Sequence, residues 1–409
     1  MAKICFYFLL HQPYRINKFS IFDIGNNIDE YYDEDLNRQV FSKVSSKSYL
    51  PMNKLLLKLI NKTQGKFKFS ISISGVAIEQ MIKYAPEVLK SFQELAKTGN
   101  VEFVCTTYYN SSSFFYSQDE FERQVQMHKN IIEKYFFQKP IIFRNIGLSF
   151  NNDLIKSLIK FNFKGLYIDG SNKLSSNINK NQVYQNSGLN VFLKNRTFSE
   201  DISKRFTDIS WSEYPLSASK YSKWITDNTN ENSVTNISIP YEVFGDHHNE
   251  ESGIFDFFEK LIQDTLEKGS ELVNVGNTLN NVDLEHIDLG ENNQVKLQNE
   301  LQSDFMKKLY SLEKELFLFS DKDLICDWRK LTSPDYLAYL DTKQFRENLI
   351  SRFNVYGSPY DAYLYLMNIL NDMEFKLKMK KVEIEKKNII SRKVDSNEIA
   401  ITEIKNQLN

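Results

Sequence analysis

An α/β fold on a parallel sheet, with a barrel favoured over an open sheet, is what this sequence predicts, and three observations predict it. Short apolar or β-branched runs alternate with longer amphipathic ones through roughly the first 280 residues, the pattern of β/α units. Beyond about residue 295 the strand-like runs stop and helical periodicity alone continues. No G-x-G-x-x-G or G-x-x-x-x-G-K-[ST] follows any strand run, which weakens the nucleotide-binding form of an open sheet. The 409 residues, 41% hydrophobic and 25% charged, suffice for one barrel with an appendage and exclude a disordered or collagen-like chain.

The first run, residues 4–10, is seven apolar residues with no small-residue cleavage site after it, so it reads as a strand and not as a signal peptide. Residues 67–73 alternate as FKFSISI. Residues 101–107, 141–145, 165–168, 191–193, 236–241 and 272–275 are further short strand runs. Between them, residues 52–60, 86–97, 118–136, 152–160, 218–226 and 253–267 place apolar residues at the three-to-four spacing of helices. Residues 172–186 and 227–236, rich in Asn and Ser, read as long loops. Residues 297–319, 342–353 and 359–380 read as helices, and 381–409, charged and weakly periodic, as a frayed helix or tail. The expected organisation is a barrel over 1–290, a helical region over 295–380 and a charged tail over 381–409.

Fifty-one basic against fifty-three acidic residues give a formal charge of −2. No basic field exists to gather nucleic acid or anionic lipid, so a neutral partner is expected. The cysteines Cys5, Cys105 and Cys326 are odd in number and far apart, which fits neither a disulfide framework nor a thiolate zinc site. No stretch reaches the roughly 18–20 apolar residues of a membrane span. A cytoplasmic location is expected.

In a parallel barrel the functional groups sit at the C-terminal ends of the strands. The first strand ends in His11-Gln12-Pro13-Tyr14-Arg15. The third contains Glu102 and runs into Thr106-Thr107-Tyr108-Tyr109-Asn110-Ser111, and the fourth gives Phe143-Arg144-Asn145-Ile146-Gly147-Leu148. The seventh gives Ile239-Pro240-Tyr241-Glu242-Val243-Phe244-Gly245-Asp246-His247-His248. Polar and aromatic ends of this kind suit a carbohydrate. His11 reads equally as a hydrogen-bonded buried imidazole. Glu102 inside an apolar strand must be paired or face a polar cavity. Asp246, His247 and His248 with His11 lack the usual zinc spacings, and no metal or cofactor is expected. Trp328-Arg329 is either a sugar-stacking platform or ordinary core.

Seven segments in order, LLHQPYR, GNVEFVCTTYYNSS, FRNIGLSFNND, SEDISKRF with WSEYPLSASKY, PYEVFGDHHNEESGIFDF, DWRKLTSPDYLAYL and SPYDAYLYLMNIL, together resemble the α-amylase-like branch of glycoside hydrolase family 57. The resemblance covers Lys3 to about Asp372. It implies an incomplete seven-unit (β/α) TIM-like barrel, a helical region that closes the cleft, and an α-1,4-glucan or maltooligosaccharide partner such as starch, glycogen or maltodextrin. It also implies a retaining mechanism, with two carboxyl groups about 5–5.5 Å apart.

The departures from the family pattern fall on that chemistry. The family nucleophile is the Glu of a segment like F-R-N-T-E-L, and Gly147 stands there. The family acid/base is an Asp directly before Y-E-T-F-G, and Pro240 stands there. A family His and Glu in a segment like E-T-Y-Y-H-S are replaced by Asn110 and Thr106, and a His in one like T-S-D-H-F by Tyr336. His11, Glu102, Arg144, Glu242, His247, Trp328 and Asp335 persist, and are expected to hold or frame a sugar. Three readings follow: α-glucan binding without hydrolysis, an active hydrolase or transglycosylase with relocated catalytic groups, and a remnant or protein-interaction scaffold. Each site reading requires His11, Glu102, Arg144 and Glu242 to meet at one barrel mouth.

Overall fold

The computed structural model describes residues 1–26, 30–170, 178–229, 233–279, 284–289, 297–343 and 355–407, the side chains of 388 and 390–407 excepted. They form two compact units, Met1–Tyr14 with Glu34–Lys296, and Arg15–Asp33 with Leu297–Asn409.

The first unit runs β1 Lys3–Leu10, α1 Glu34–Val44, α2 Leu50–Lys62, β2 Phe69–Ile73, α3 Gly75–Tyr84, α4 Pro86–Lys97, β3 Val101–Phe103 and α5 Gln118–Phe136. It continues through β4 Ile142–Arg144, α6 Asn152–Lys160, β5 Gly165–Asp169, β6 Val183–Asn186, β7 Leu189–Lys194, α7 Arg196–Ser203, α8 Ala218–Asp227, β8 Val234–Pro240, α9 Ile254–Glu267 and β9 Glu271–Leu272. Seven strands lie in the order β3-β2-β1-β8-β7-β5-β4, with β6 and β9 attached to β7 and β1. The two ends of that order meet just beyond β3, where Cys105 bridges Phe143 in parallel. There the Cys105 amide donates to the Ile142 carbonyl at 2.9 Å, and the Arg144 amide to Cys105 at 2.8 Å. At the strand starts β3 and β4 part. An opening of about 370 Å³ remains, lined among others by Val101, Glu102, Gln138, Ile141, Asn274 and Gly276. The expected fold class, an incomplete (β/α)7 barrel followed by helices, is therefore the observed one.

The period of two along β1 explains the continuous apolar run. Ile4, Phe6, Phe8 and Leu10 point outward into the helical layer with Met52, Leu56, Ile71 and Phe258. Cys5 and Tyr7 point into the barrel with Val104, Ile142, Tyr167, Phe192 and Val275. A parallel strand buried on both faces has no polar alternation to show. Helix starts follow local capping: the side chains of Ser117 and Asn151 accept from the amides of Glu120 and Leu154, and Pro86 opens α4, where its missing N–H costs nothing. The loop expected over 172–186 gives way to strand at Val183–Asn186. A two-residue turn at Ser187-Gly188, both at positive φ, folds β6 back on β7, as primed hairpin turns do. Helices α1, α3 and α7 were not apparent from periodicity.

The second unit holds α10 Glu300–Ser311, α11 Glu313–Phe319, α12 Lys322–Leu331, α13 Asp335–Tyr339 and α14 Pro359–Gln407. The single helix expected over 297–319 is two, and most of the one expected over 342–353 lies outside the described residues. Helix continues through the supposed tail to Gln407. The segment Arg15–Asp33 joins this unit: Asp372 of α14 accepts from the Gly25 amide at 2.7 Å and the Tyr31 hydroxyl at 2.6 Å. No described helix is long and apolar enough to cross a membrane.

Candidate functional site

The C-terminal ends of β1, β2 and β8 gather one polar cluster. His11 Nδ1 and Ser74 Oγ share a hydrogen bond of 2.7 Å. Parallel pairing continues beside it, with the Ser74 amide donating to the Leu10 carbonyl at 3.1 Å. Glu242, 9% exposed, accepts from Tyr49 Oη at 2.7 Å and from Gln12 Nε2 at 3.4 Å. The Gln12 carbonyl is held by Gln80 Nε2 at 2.7 Å. Burial pushes the Glu242 carboxyl above its ordinary range, and the donors from Tyr49 and Gln12 oppose that shift. Gly245 in the following turn has φ +99°, and a Cβ there would stand 1.9 Å from the Lys47 carbonyl oxygen. Only glycine fits that approach.

A second cluster lies on the β3–β4–β5 side. Arg144 Nη1 donates to Asn110 Oδ1 at 3.3 Å, and Asn110 sits at φ +51° in a turn closed by its amide on the Thr107 carbonyl at 2.9 Å. Asn tolerates that left-handed conformation well. Tyr7 and Tyr167 stack below, ring centroids 4.5 Å apart, with their hydroxyls near the guanidinium. Burial lowers the Arg144 pKa. The Arg144 Nε and Thr106 Oγ1 are enclosed without a hydrogen-bond partner among the described residues, and the buried hydroxyls of Tyr167 and Ser238 have each other within reach. Asp169 and Lys194 end β5 and β7 in cross-strand register. Both are charged groups at the mouth that the sequence reading missed, because it ended those strands one residue early. Glu79 on α3, accepting from Tyr108 Oη at 2.7 Å, was missed as well.

Glu102 stands away from this mouth, and Trp328 and Asp335 belong to the second unit. Glu102 is in register with Ser70, and Ser70 with Tyr7, four residues before His11, or roughly 13 Å along a strand at about 3.3 Å per residue. Its carboxylate accepts from Ser70 Oγ at 2.7 Å and from the Gly276 amide at 3.0 Å, at the strand-start end of the barrel. Thus His11, Arg144 and Glu242 each stand at or just after the C-terminal end of a strand, while Glu102 lies near the start of its own. Trp328 is 0% exposed, gives its Nε1–H to the Leu309 carbonyl at 2.8 Å and packs against Tyr310 and Phe317. It is core of the second unit and has no free face on which a sugar would stack. Asp335 opens α13 and accepts from Ser333 Oγ at 2.6 Å. The His247 amide donates to the Glu242 carbonyl at 2.8 Å, while the neighbouring His248 turns away to Thr207 and the Ile202 carbonyl. Among the described residues no three His, Cys, Asp or Glu side chains gather as a metal would require.

Comparison with known proteins decides the family. The family model for glycosyl hydrolase family 57 matches residues 5–297. The "Putative alpha-amylase" of Methanocaldococcus jannaschii is 34% identical over 412 aligned positions, covering 94% of this chain and 87% of that protein. This chain belongs to glycosyl hydrolase family 57. Solved structures share the fold: the family 57 branching enzyme of Pyrococcus horikoshii, with TM-score 0.65 and 16% identity over 91% of this chain and 88% of that one, and an α-amylase of Thermotoga maritima, with TM-score 0.62 and 11% identity over 91% and 93%.

Against the family 57 pattern, the positions of Gly147 and Pro240 gain physical detail. Gly147 lies in a short 3₁₀ turn after β4 at φ +58°, and a Cβ there would meet nothing within 4 Å. The next carboxylate along the chain, Asp153, is 75% exposed and paired with Lys156 at 2.9 Å. Pro240 closes β8, where residue 238 before it and Glu242 after it are the nearest side chains of the same parity.

Proposed function

We propose that this family 57 member binds α-glucan, as a maltooligosaccharide or the end of a starch or glycogen chain, without hydrolysing it. What supports the reading is the sequence resemblance, which puts Gly147 and Pro240 where the family pattern has its nucleophile and acid/base. A retaining mechanism needs both carboxyls, one to attack the anomeric carbon and one to protonate the leaving oxygen. The carboxylates near the two vacated positions are otherwise engaged, Asp153 with Lys156 at the surface and Glu242 with Tyr49 and Gln12 in a buried network. His11, Arg144 and Asn110 supply hydrogen-bonding groups suited to sugar hydroxyls. The α-amylase and branching-enzyme names of the similar proteins support an α-glucan as the substrate class. A cytoplasmic location belongs to the same proposal, supported by the odd number and wide spacing of the cysteines, which suit no disulfide framework.

The test is calorimetric titration with maltoheptaose beside an overnight digestion. Saturable heat that is insensitive to salt is expected, because no charge pairing is involved, together with no reducing sugar above a blank. Hydrolysis by the unmodified protein that disappears in Glu242→Gln would sink the proposal and make Glu242 the relocated acid.

A further inference from the structure

We propose that the β3–β4–β5 corner of the barrel mouth is an oxyanion subsite, with Arg144 as its charged anchor, built to take a phosphate or carboxylate group. This goes beyond the neutral-glucan reading and does not depend on it. The only hydrogen bond of the guanidinium among the described residues is the 3.3 Å contact to the neutral amide of Asn110, and no described carboxylate pairs with it. Around it stand three hydroxyls, of which Tyr167 Oη and Ser238 Oγ lie within hydrogen-bonding reach of each other, while Thr106 Oγ1, like Arg144 Nε itself, is enclosed without a hydrogen-bond partner among the described residues. Thr106, Tyr167 and Ser238 are each at most 1% exposed. Every one of these groups can donate.

Alternation along the strands turns them to the same side. Val104 and Tyr167 line the barrel interior, so Thr106 and Asp169, two residues further on, face inward as well. Arg144 and Thr106 are neighbours across the Cys105–Phe143 bridge. The local charges favour an anion. Lys194 lies close enough to Arg144 for each to feel the other, and burial lowers its pKa while Asp169 and Glu200 oppose the shift. Glu200 is already held at 2.9 Å by both Arg196 and Lys204. That leaves Asp169 as the one described carboxylate against Arg144 and Lys194. A half-buried charge without a carboxylate partner and enclosed unsatisfied donors are both unfavourable, and an oxyanion relieves both at once. The planar guanidinium fork fits the two oxygens of a carboxylate or phosphate.

The full-length protein is titrated with inorganic phosphate, glucose 1-phosphate, glucuronate and maltotriose, at about 20 and about 200 mM salt to vary screening. Saturable binding of at least one oxyanion is expected, weaker at the higher salt. Arg144→Gln should weaken it roughly 10–100-fold, as for a lost charge-assisted hydrogen bond, and Arg144→Lys should retain part of it. Phosphate binding as tightly as glucose 1-phosphate supports the subsite and identifies a free oxyanion; preference for glucose 1-phosphate or glucuronate supports it and places the sugar in the same pocket. Arg144→Gln should also melt no lower than wild type without ligand, since it removes an unpaired charge. The inference is overturned if no oxyanion binds, or if Arg144→Gln binds oxyanions as wild type does. Maltotriose binding without any oxyanion binding defeats the subsite and spares the glucan reading; oxyanion binding without maltotriose binding does the reverse.

Discussion

Glu102 and Arg144 both project into the barrel from parallel strands, and the two ends they occupy handle charge in opposite ways. Glu102 receives a hydroxyl and a backbone amide at 2.7 and 3.0 Å, ties β2 and β3 to the turn after β9, and leaves the donors around it satisfied. Arg144 donates to one neutral partner at 3.3 Å, and beside it Thr106 Oγ1 and its own Nε lack partners among the described residues. Satisfied burial is the mark of a group that holds the fold, and unsatisfied burial is retained where something else supplies the missing partner. The strand-start end of this barrel is accordingly structural, and the mouth is where a ligand belongs.

The largest effect that distinguishes the ends is expected at Glu102. Glu102→Ala leaves Ser70 and Gly276 unsatisfied and opens a void, at a cost of roughly 2–4 kcal/mol. Glu102→Gln keeps an acceptor and should cost about 1 kcal/mol or less. Urea unfolding measures both. Saccharide or anion binding by folded Glu102→Gln should equal wild type; a stable Glu102→Gln that binds nothing would break the comparison.

Next in size is the introduction of carboxylates at Gly147 and Pro240, where the proposed reading puts the family's catalytic pair. Gly147→Glu has room, since a Cβ there meets nothing within 4 Å, but φ is +58°, so a cost of about 1–2 kcal/mol is expected for a side chain in left-handed backbone. Neither Gly147→Glu nor Pro240→Asp alone should release reducing sugar, because each supplies half of a two-carboxyl mechanism. The double variant should show weak turnover, with Asn110→His as a further aid. Turnover by one single variant would mean that a carboxylate already at the mouth serves as the other partner, Asp169 and Glu242 being the first to test by amide substitution.

How much of this was legible in the sequence depends on what periodicity encodes. An acid inside an apolar run marked Glu102 as paired or facing a polar cavity, but that carries no information about height along the barrel. The strand ends hydrogen-bonded sheet pairing at Phe103 and continues as a single bridge, so Glu102 lies near the strand start and the mouth begins near Thr106. At Trp328 the decisive signal was present and went unused: Leu324, Ile325 and Leu331 stand four and three residues before it and three after, on the same helix face, and all are buried. Asp169 and Lys194 were lost because apolar runs define strands by their cores, and the last charged residue of a barrel strand lies outside that definition. The mouth residues His11, Arg144 and Glu242 were legible because polar groups directly after an apolar run have few other reasons to be there.

A smaller effect follows from the pH dependence of the two buried carboxyls. Burial raises the folded-state pKa of both Glu102 and Glu242. The folded protein therefore holds protons more tightly than the unfolded chain, and stability falls as pH rises from the unfolded carboxylate value near ~4.3 up to the folded values. Glu102→Gln removes one of the two groups and should flatten that decline in denaturation measured across the acid limb.

Tyr49→Phe sharpens the comparison from the other side of the mouth. It deletes the 2.7 Å donor to Glu242 while keeping the ring, which packs against Phe41 and Tyr241. With Gln12 at 3.4 Å as the remaining side-chain hydrogen-bond donor, the carboxyl loses its shortest bond, so its pKa should rise further and the acid-limb decline in stability should extend to higher pH. The loss at neutral pH is expected near 1–2 kcal/mol, the scale of a hydrogen bond to a charged group. If Glu242 belongs to a prearranged hydrogen-bonding wall for sugar, Tyr49→Phe should also weaken maltoheptaose binding while leaving any oxyanion binding at Arg144 unchanged. Loss of both kinds of binding together would mean that the two clusters act as one site and that the division drawn between them is too sharp.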